Sequence, residues 1–189
     1  MEQRSSPPAA AFTESVDAPT WAIRAEQPTD LDQINDLHRA AFPTSAEAEM
    51  VDAVRASAGF IPELSLVAAT ADGSILGHVM ISVVSLEHGE TSTPVLALAP
   101  LAVLPPHRGR GIGDALTQAV LAMADERDEP FVVVLGGADY ARYGFERASA
   151  FDVTGPYDVP DEAYQLRPRP GAEEIPAGRV AYPASFAGV

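Results

Sequence analysis

The chain has no cysteine among its 189 residues, which excludes disulfides, thiolate metal sites and a cysteine nucleophile. Lysine is also missing, so all 12 basic side chains are arginines. Against them stand 27 aspartates and glutamates, leaving a net charge of −15. That balance argues against nucleic acid and anionic membrane surfaces as partners, and for cationic small molecules or protein amines. The four histidines, His38, His78, His88 and His107, are dispersed without metal-ligand spacing, so no metal is expected. No apolar run approaches the roughly 18 residues needed to cross a bilayer. Met1 to Pro19 lacks the apolar core of a signal peptide, and a cytoplasmic protein is the expectation.

A hydrophobic content of 47% over this length supports one core and one active site. Residues 1–19, rich in Ser, Pro and Ala, read as a disordered tail, and 20–189 as a single domain. Trp21 to Ala25 is a first strand. Thr29 and Asp32 resemble a capping box before a helix with Leu31, Ile34, Leu37 and His38 on one face. Thr44 and Glu47 open a second helix, with Met50, Val51 and Val54 on its apolar side. Leu64 to Thr70 and Ile75 to Glu87 are strands joined through the hairpin signal Asp72-Gly73. Thr93 to Leu104 follows as a third strand, and Pro100 within it points to an edge or a bulge, since proline removes a ladder donor.

Residues Pro105 to Asp114, Pro-Pro-His-Arg-Gly-Arg-Gly-Ile-Gly-Asp, turn the chain from strand to helix on glycines. Gly109, Gly111 and Gly113 let backbone N–H groups approach a ligand, and a helix N-terminus adds unpaired donors and partial positive charge. A pyrophosphate fits such a cradle. Without lysine it is no Walker loop, and Asp114 at the sixth position breaks the dinucleotide fingerprint. The helix that follows places Leu116, Ala119, Val120 and Met123 on one face and ends near Arg127. Phe131 to Leu135 is a continuous apolar run after a crossover helix, hence a central strand parallel to its predecessor. Phe151–Thr154 and Ala163–Arg167 are expected to pair and close the sheet.

The pattern Arg108-x-x-Gly111-x-Gly113 resembles the coenzyme A motif of the GNAT superfamily of N-acetyltransferases. Tyr140, Gly144 and Phe145 match that family's final Tyr-x-x-x-Gly-Phe element. Leu101 to Pro105 and Pro156 to Tyr164 are similar to its YhbS-type branch. The resemblance implies an α/β fold: a mixed, largely antiparallel central sheet, helices on both faces, and a splayed parallel strand pair holding coenzyme A. It implies acetyl-CoA as cosubstrate and transfer of its acetyl group to a primary amine of a small molecule or peptide, by direct attack in a ternary complex. The backbone of Leu101, Ala102 and Val103 would hold pantetheine. Arg108, Gly109, Arg110, Gly111, Ile112, Gly113 and Tyr143 would hold the rest of the carrier. Tyr140 would donate a hydrogen bond or proton to the leaving thiolate, with Tyr143 as its competitor.

Glu49 and His78 are the candidate bases; a solvated helix face and a satisfied core histidine are their alternative roles. Tyr164 is a candidate wall of the acceptor pocket, or else core. Glu87 and His88 end a strand near a loop, and Arg142 and Arg147 are further candidates for phosphate or for balancing local acids. The loop before Tyr140, Leu135-Gly-Gly-Ala-Asp139, is shorter than the branch's usual one. That keeps a second reading open, a non-catalytic acyl-CoA-binding or regulatory module. Monomer and homodimer are both compatible with the chain.

Overall fold

A computed structural model describes residues 20–156 and 158–186; the segment 1–19, read above as a tail, lies outside the described residues. The strands β1 (Trp21–Ala25), β2 (Phe60–Thr70), β3 (Ile75–His88), β4 (Thr91–Val103), β5 (Phe131–Leu135), β6 (Glu146–Arg147), β7 (Val153–Thr154), β8 (Tyr164–Pro168) and β9 (Gly178–Ala181) form one sheet. Its order is β1-β2-β3-β4-β5-β8-β6, antiparallel at every step except β4 beside β5. Helices α1 (Leu31–Ala41) and α2 (Ala46–Arg55) cover one face, and α3 (Ile112–Ala124) covers the other.

Strand periodicity explains how both faces are apolar. In β5, Phe131 and Val133 turn to the α1 and α2 side, while Val132 and Val134 turn to α3. Val95 and Ala97 alternate with Leu96 and Leu98 in β4 in the same sense. Gly77 in β3 lets α3 come close. A Cβ there would lie 2.9 Å from Ile112 Cγ2 and 2.9 Å from Leu116 Cδ1, closer than packed carbons tolerate.

Several expectations are corrected. The first capping box is Gln27 with Asp30, two residues earlier than Thr29 with Asp32, because Pro28–Asp30 forms a short 3-10 turn ahead of α1. The buried stripe of α3 runs through Ile112, Leu116, Thr117, Val120, Leu121 and Ala124, leaving Met123 on the outside. Phe151–Thr154 does not pair with Ala163–Arg167. Tyr164–Pro168 instead pairs with β5 and β6, and Val153–Thr154 runs parallel to β9, a strand with no strong signal of its own. Short pairs of this kind are chosen by whichever edge stands free, which local patterning does not encode.

The important irregularity lies in β4. Val79 and Ile81 of β3 face Leu101 and Leu98 of β4, so β4 carries one extra residue at Ala99-Pro100. This is a bulge. The parallel ladder to β5 ends at Leu98 beside Val134, while β4 continues to Val103. The two strands therefore part beyond the bulge.

Candidate active site

Where β4 and β5 part, the sheet is pierced by a cavity of about 310 Å³. Leu98, Leu101, Val134 and Tyr140 on its wall belong to the α3-side core. Phe42, Met50, Ala99, Tyr182 and Phe186 belong to the α1 and α2 side. A ligand entering from the α3 face thus meets one entering from the opposite face. Leu135, 46% exposed, and the backbone of Gly136 form the β5 lip.

The cradle opens α3 on the side of the sheet that Tyr140 shares. Gly109 and Gly111 have φ of 73° and 79°, the left-handed region that glycine occupies without a Cβ penalty. Gly111 is the N-cap and no side chain caps the helix; the first intrahelical bond runs from the Ala115 N–H to Gly111. The N–H groups of Ile112, Gly113 and Asp114 therefore precede the ladder, as an anion site requires. Gly113 lies over the side chains of Val103 and Leu101, joining the cradle to the end of β4.

The arginines of the cradle differ. Arg108 donates from Nε to the Val103 carbonyl at 3.2 Å and from Nη2 to the Ala41 carbonyl at 2.7 Å, tying the loop to the end of α1. Arg110 is exposed and makes no side-chain bond among the described residues. Tyr143 donates its hydroxyl to Asp114 at 2.6 Å, with the Arg142 guanidinium 4.8 Å above its ring. Arg142 also lies 3.5 Å from Asp114, so this first-turn carboxylate is partnered by Tyr143, Gln118 and Arg142. Arg147 pairs loosely with Asp161.

Tyr140 lines the cavity from the 3-10 turn Ala138–Tyr143, its ring edge-on to Phe145 with centroids 5.6 Å apart. Burial, and then Tyr143, raises its phenol above the ordinary value of 10, so it stays protonated and donates. The loop before it is clamped. The Gly136 N–H bonds the Ala163 carbonyl at 2.9 Å, and buried Gln165 donates from Nε2 to the carbonyls of Gly136, Gly137 and Glu162. The Tyr140 ring lies directly on Gly136, where a Cβ would come within 2.5 Å of Cε2.

The candidate bases lie elsewhere. Glu49 is exposed on α2 and accepts a 2.6 Å hydrogen bond from Ser45. His78 is fully buried in β3, opposite Ala102, within a polar chain. Ser65 donates to Glu26 Oε2 at 2.6 Å, so its oxygen accepts from His78 Nε2 at 2.9 Å, and His78 Nδ1 accepts from His38 Nε2 at 2.9 Å. Arg55 grips Glu26 with two bonds of 2.7 and 2.8 Å. Burial alone would raise the Glu26 carboxyl, but hydrogen bonds from His78, Arg55 and Ser65 outweigh it and bring it down to about 2. Burial, then the neighbouring His78 and Arg55, lowers His38 to about 3. His78 is lowered chiefly by burial, against the pull of Glu26. These imidazoles are neutral at physiological pH and stitch α1 to the sheet.

Tyr164 is buried, and its hydroxyl meets that of Tyr182 at 3.1 Å; Tyr182, not Tyr164, lines the cavity. Glu87 accepts from Ser92 at 2.8 Å on the exposed hairpin, beside His88. The residues missed from sequence are Phe42, Glu47, Tyr182, Phe186 and Gln165. Only folding brings α2, the last turn (Ala184–Phe186) and β4 to one opening.

The acetyltransferase (GNAT) domain model matches residues 22–148. The chain belongs to the GNAT acetyltransferases. It is similar to the uncharacterized N-acetyltransferase YhbS of Escherichia coli K12, 37% identical over 145 residues, 76% of this chain and 84% of that one. YjhQ of the same organism is 33% identical over 137 residues, 71% of this chain and 75% of YjhQ. The crystal structure of E. coli YhbS in complex with CoA superposes with a TM-score of 0.81 at 30% identity, covering 91% of this chain and 94% of that one. A GNAT family acetyltransferase from Brucella melitensis in complex with acetyl-CoA gives 0.71 at 31% identity, with coverages of 88% and 97%. The splayed pair of this GNAT chain and its uncapped α3 are thus set in a fold seen with that carrier in relatives.

Proposed function

We propose that this GNAT enzyme transfers an acetyl group from acetyl-CoA to a primary amine, the amine attacking directly while both substrates are bound. One observation carries the reading: the uncapped N-terminus of α3 packs through Gly113 on Leu101, and Leu101 lines a cavity whose wall takes residues from both faces of the sheet where β4 and β5 part. The residues present fit the carrier. Donors of Ile112, Gly113 and Asp114 receive its diphosphate, with Arg110 near enough in sequence to add charge. The strand Leu101–Val103, freed from β5, offers backbone groups to pantetheine.

Acetyl-CoA supplies an activated thioester. The protein's own part is to place it, exclude water and stabilise charge. Tyr140 donates to the departing thiolate. With reference values near 10 for tyrosine and 8.5 for a thiol, full proton transfer is uphill by about 2 kcal/mol. Burial of Tyr140 makes it steeper, so hydrogen bonding rather than transfer is its role. A β4 amide freed at the bulge stabilises the oxyanion. The net charge of −15 favours a cationic acceptor over nucleic acid and fits a cytoplasmic small-molecule or peptide enzyme of the single domain 20–189.

The test is calorimetric uptake of acetyl-CoA, followed by thiol release against polyamines, aminoglycosides, amino acids and peptides. Uptake with thiol release supports the proposal. Uptake without release on any amine favours a non-catalytic binding module, and no uptake refutes both.

A further inference from the structure

We propose that Glu47 selects the acceptor by charge: the α1 and α2 side of the cleft takes a primary ammonium on a short apolar arm, its charge against the Glu47 carboxylate. This rests on the acetyl-transfer reading and names the substrate class for it. Glu47 is the one charged side chain on the cavity wall among the described residues. Its side-chain partner is a neutral hydroxyl, Thr44 Oγ1, at 3.4 Å; no arginine pairs with it among the described residues, whereas Glu26, Asp30, Asp125 and Glu129 each hold one. The Glu47 carboxylate is solvent-accessible on the wall of a largely apolar cavity, and with no arginine on it among the described residues it is open to pair with an ammonium bound there.

The rest of that wall agrees. Phe42, Met50, Tyr182 and Phe186 surround the same space, offering apolar contact for an arm and aromatic faces for a cation. No arginine among the described residues lines the cavity, so an acceptor carrying a carboxylate beside its amine, as free amino acids do, would meet Glu47 with like charge and no compensation from them. Position separates the two ligands. Glu47 and Met50 come from α2 on one face, while the cradle opens α3 on the other, so the ammonium and the anionic carrier approach from opposite sides of the sheet.

Glu47 anchors and does not act as the base. The contact is an ion pair that holds the ammonium in place, and the carboxylate takes up no proton from it. The proton leaves to solvent instead. The role therefore shows in binding and in KM for the amine, with kcat little changed.

The experiment titrates CoA-saturated protein with benzylammonium and with benzyl alcohol, its neutral counterpart of similar shape. The parent is expected to prefer the ammonium by about tenfold or more. Glu47→Gln removes that preference while CoA affinity and melting temperature stay put, and Glu47→Asp keeps part of it. Equal ammonium binding by parent and Glu47→Gln would overturn the inference. So would parent protein that takes up CoA and then prefers the alcohol or binds neither. Failure to take up CoA counts against the acetyl-transfer reading instead. The same titration without CoA then still decides on Glu47.

Discussion

Gly136→Ala is the sharpest test of how Tyr140 is placed. The added Cβ would stand 2.5 Å from Tyr140 Cε2 and 2.6 Å from Cδ2, where ordinary contact begins near 3.4 Å. The backbone cannot yield easily, because Gly136 is held by Ala163 and by Gln165. The ring must therefore move by about 1 Å, and its hydroxyl with it. A hydrogen bond to a charged group is worth about 1.5 to 3 kcal/mol. Losing it lowers kcat by about 10- to 100-fold, in line with the cost of a 1 Å misplacement in a reacting site. Thiol release at saturating acetyl-CoA and amine reads kcat, and calorimetry reads the carrier's Kd, which should stay within about threefold because the cradle is untouched. Tyr140→Phe should cause a loss of similar size. The double variant should be no worse than either single one, since both remove the same bond. If Gly136→Ala keeps more than half of kcat, or if the two losses multiply, Tyr140 does not act through a hydroxyl positioned on Gly136.

Other consequences follow from packing and charge. Gly77→Ala pushes its methyl into Ile112 and Leu116; it should destabilise by about 1 to 3 kcal/mol and weaken acetyl-CoA uptake, which melting and calorimetry would read together. Acidification should unfold the protein in two steps of loss. His38, lowered from 6.5 to about 3, favours the fold fully above 6.5 and progressively less below it. Glu26, lowered from 4.5 to about 2, contributes above 4.5 and loses about 3 kcal/mol as pH falls towards 2. A melting temperature that is flat from pH 7 to 3 would contradict both, and Glu26→Gln should cost about 1 to 3 kcal/mol near neutrality, because it removes one of the two carboxylates on Arg55 and leaves Asp52. Under the proposed binding mode, in which backbone donors rather than several arginines hold the diphosphate, raising salt from about 50 to 200 mM should cost less than tenfold in acetyl-CoA affinity, a smaller loss than a binding site of many cationic contacts shows.

Local patterning made much of the molecule legible. The hairpin at Asp72-Gly73, the buried run Phe131–Leu135 and the glycine turn into α3 each declare themselves within a few residues, because turn conformation, alternation and helix opening are local properties. Pro100 announced the bulge, since a residue without an N–H has no place in an unbroken central ladder. The family motif singled out Arg108 to Gly113 and Tyr140 to Phe145 as candidates for the same reason: each is contiguous in the chain. His78 was ambiguous from sequence. A histidine on an apolar strand serves either chemistry or structure, and only its partners Ser65, Glu26 and His38 reveal what it touches.

The amino-acid order by itself thus determined where the chain turns, which face of each element is apolar, and that a helix opening on glycines follows an interrupted strand. These depend on backbone geometry over one or two turns. The tertiary structure decided which side chains share the opening between β4 and β5. Glu47, Tyr182 and Phe186 come from segments separated by well over a hundred residues, and they converge because burial of two opposite apolar faces, rather than any local preference, brings α2 and the last described turn against the same sheet.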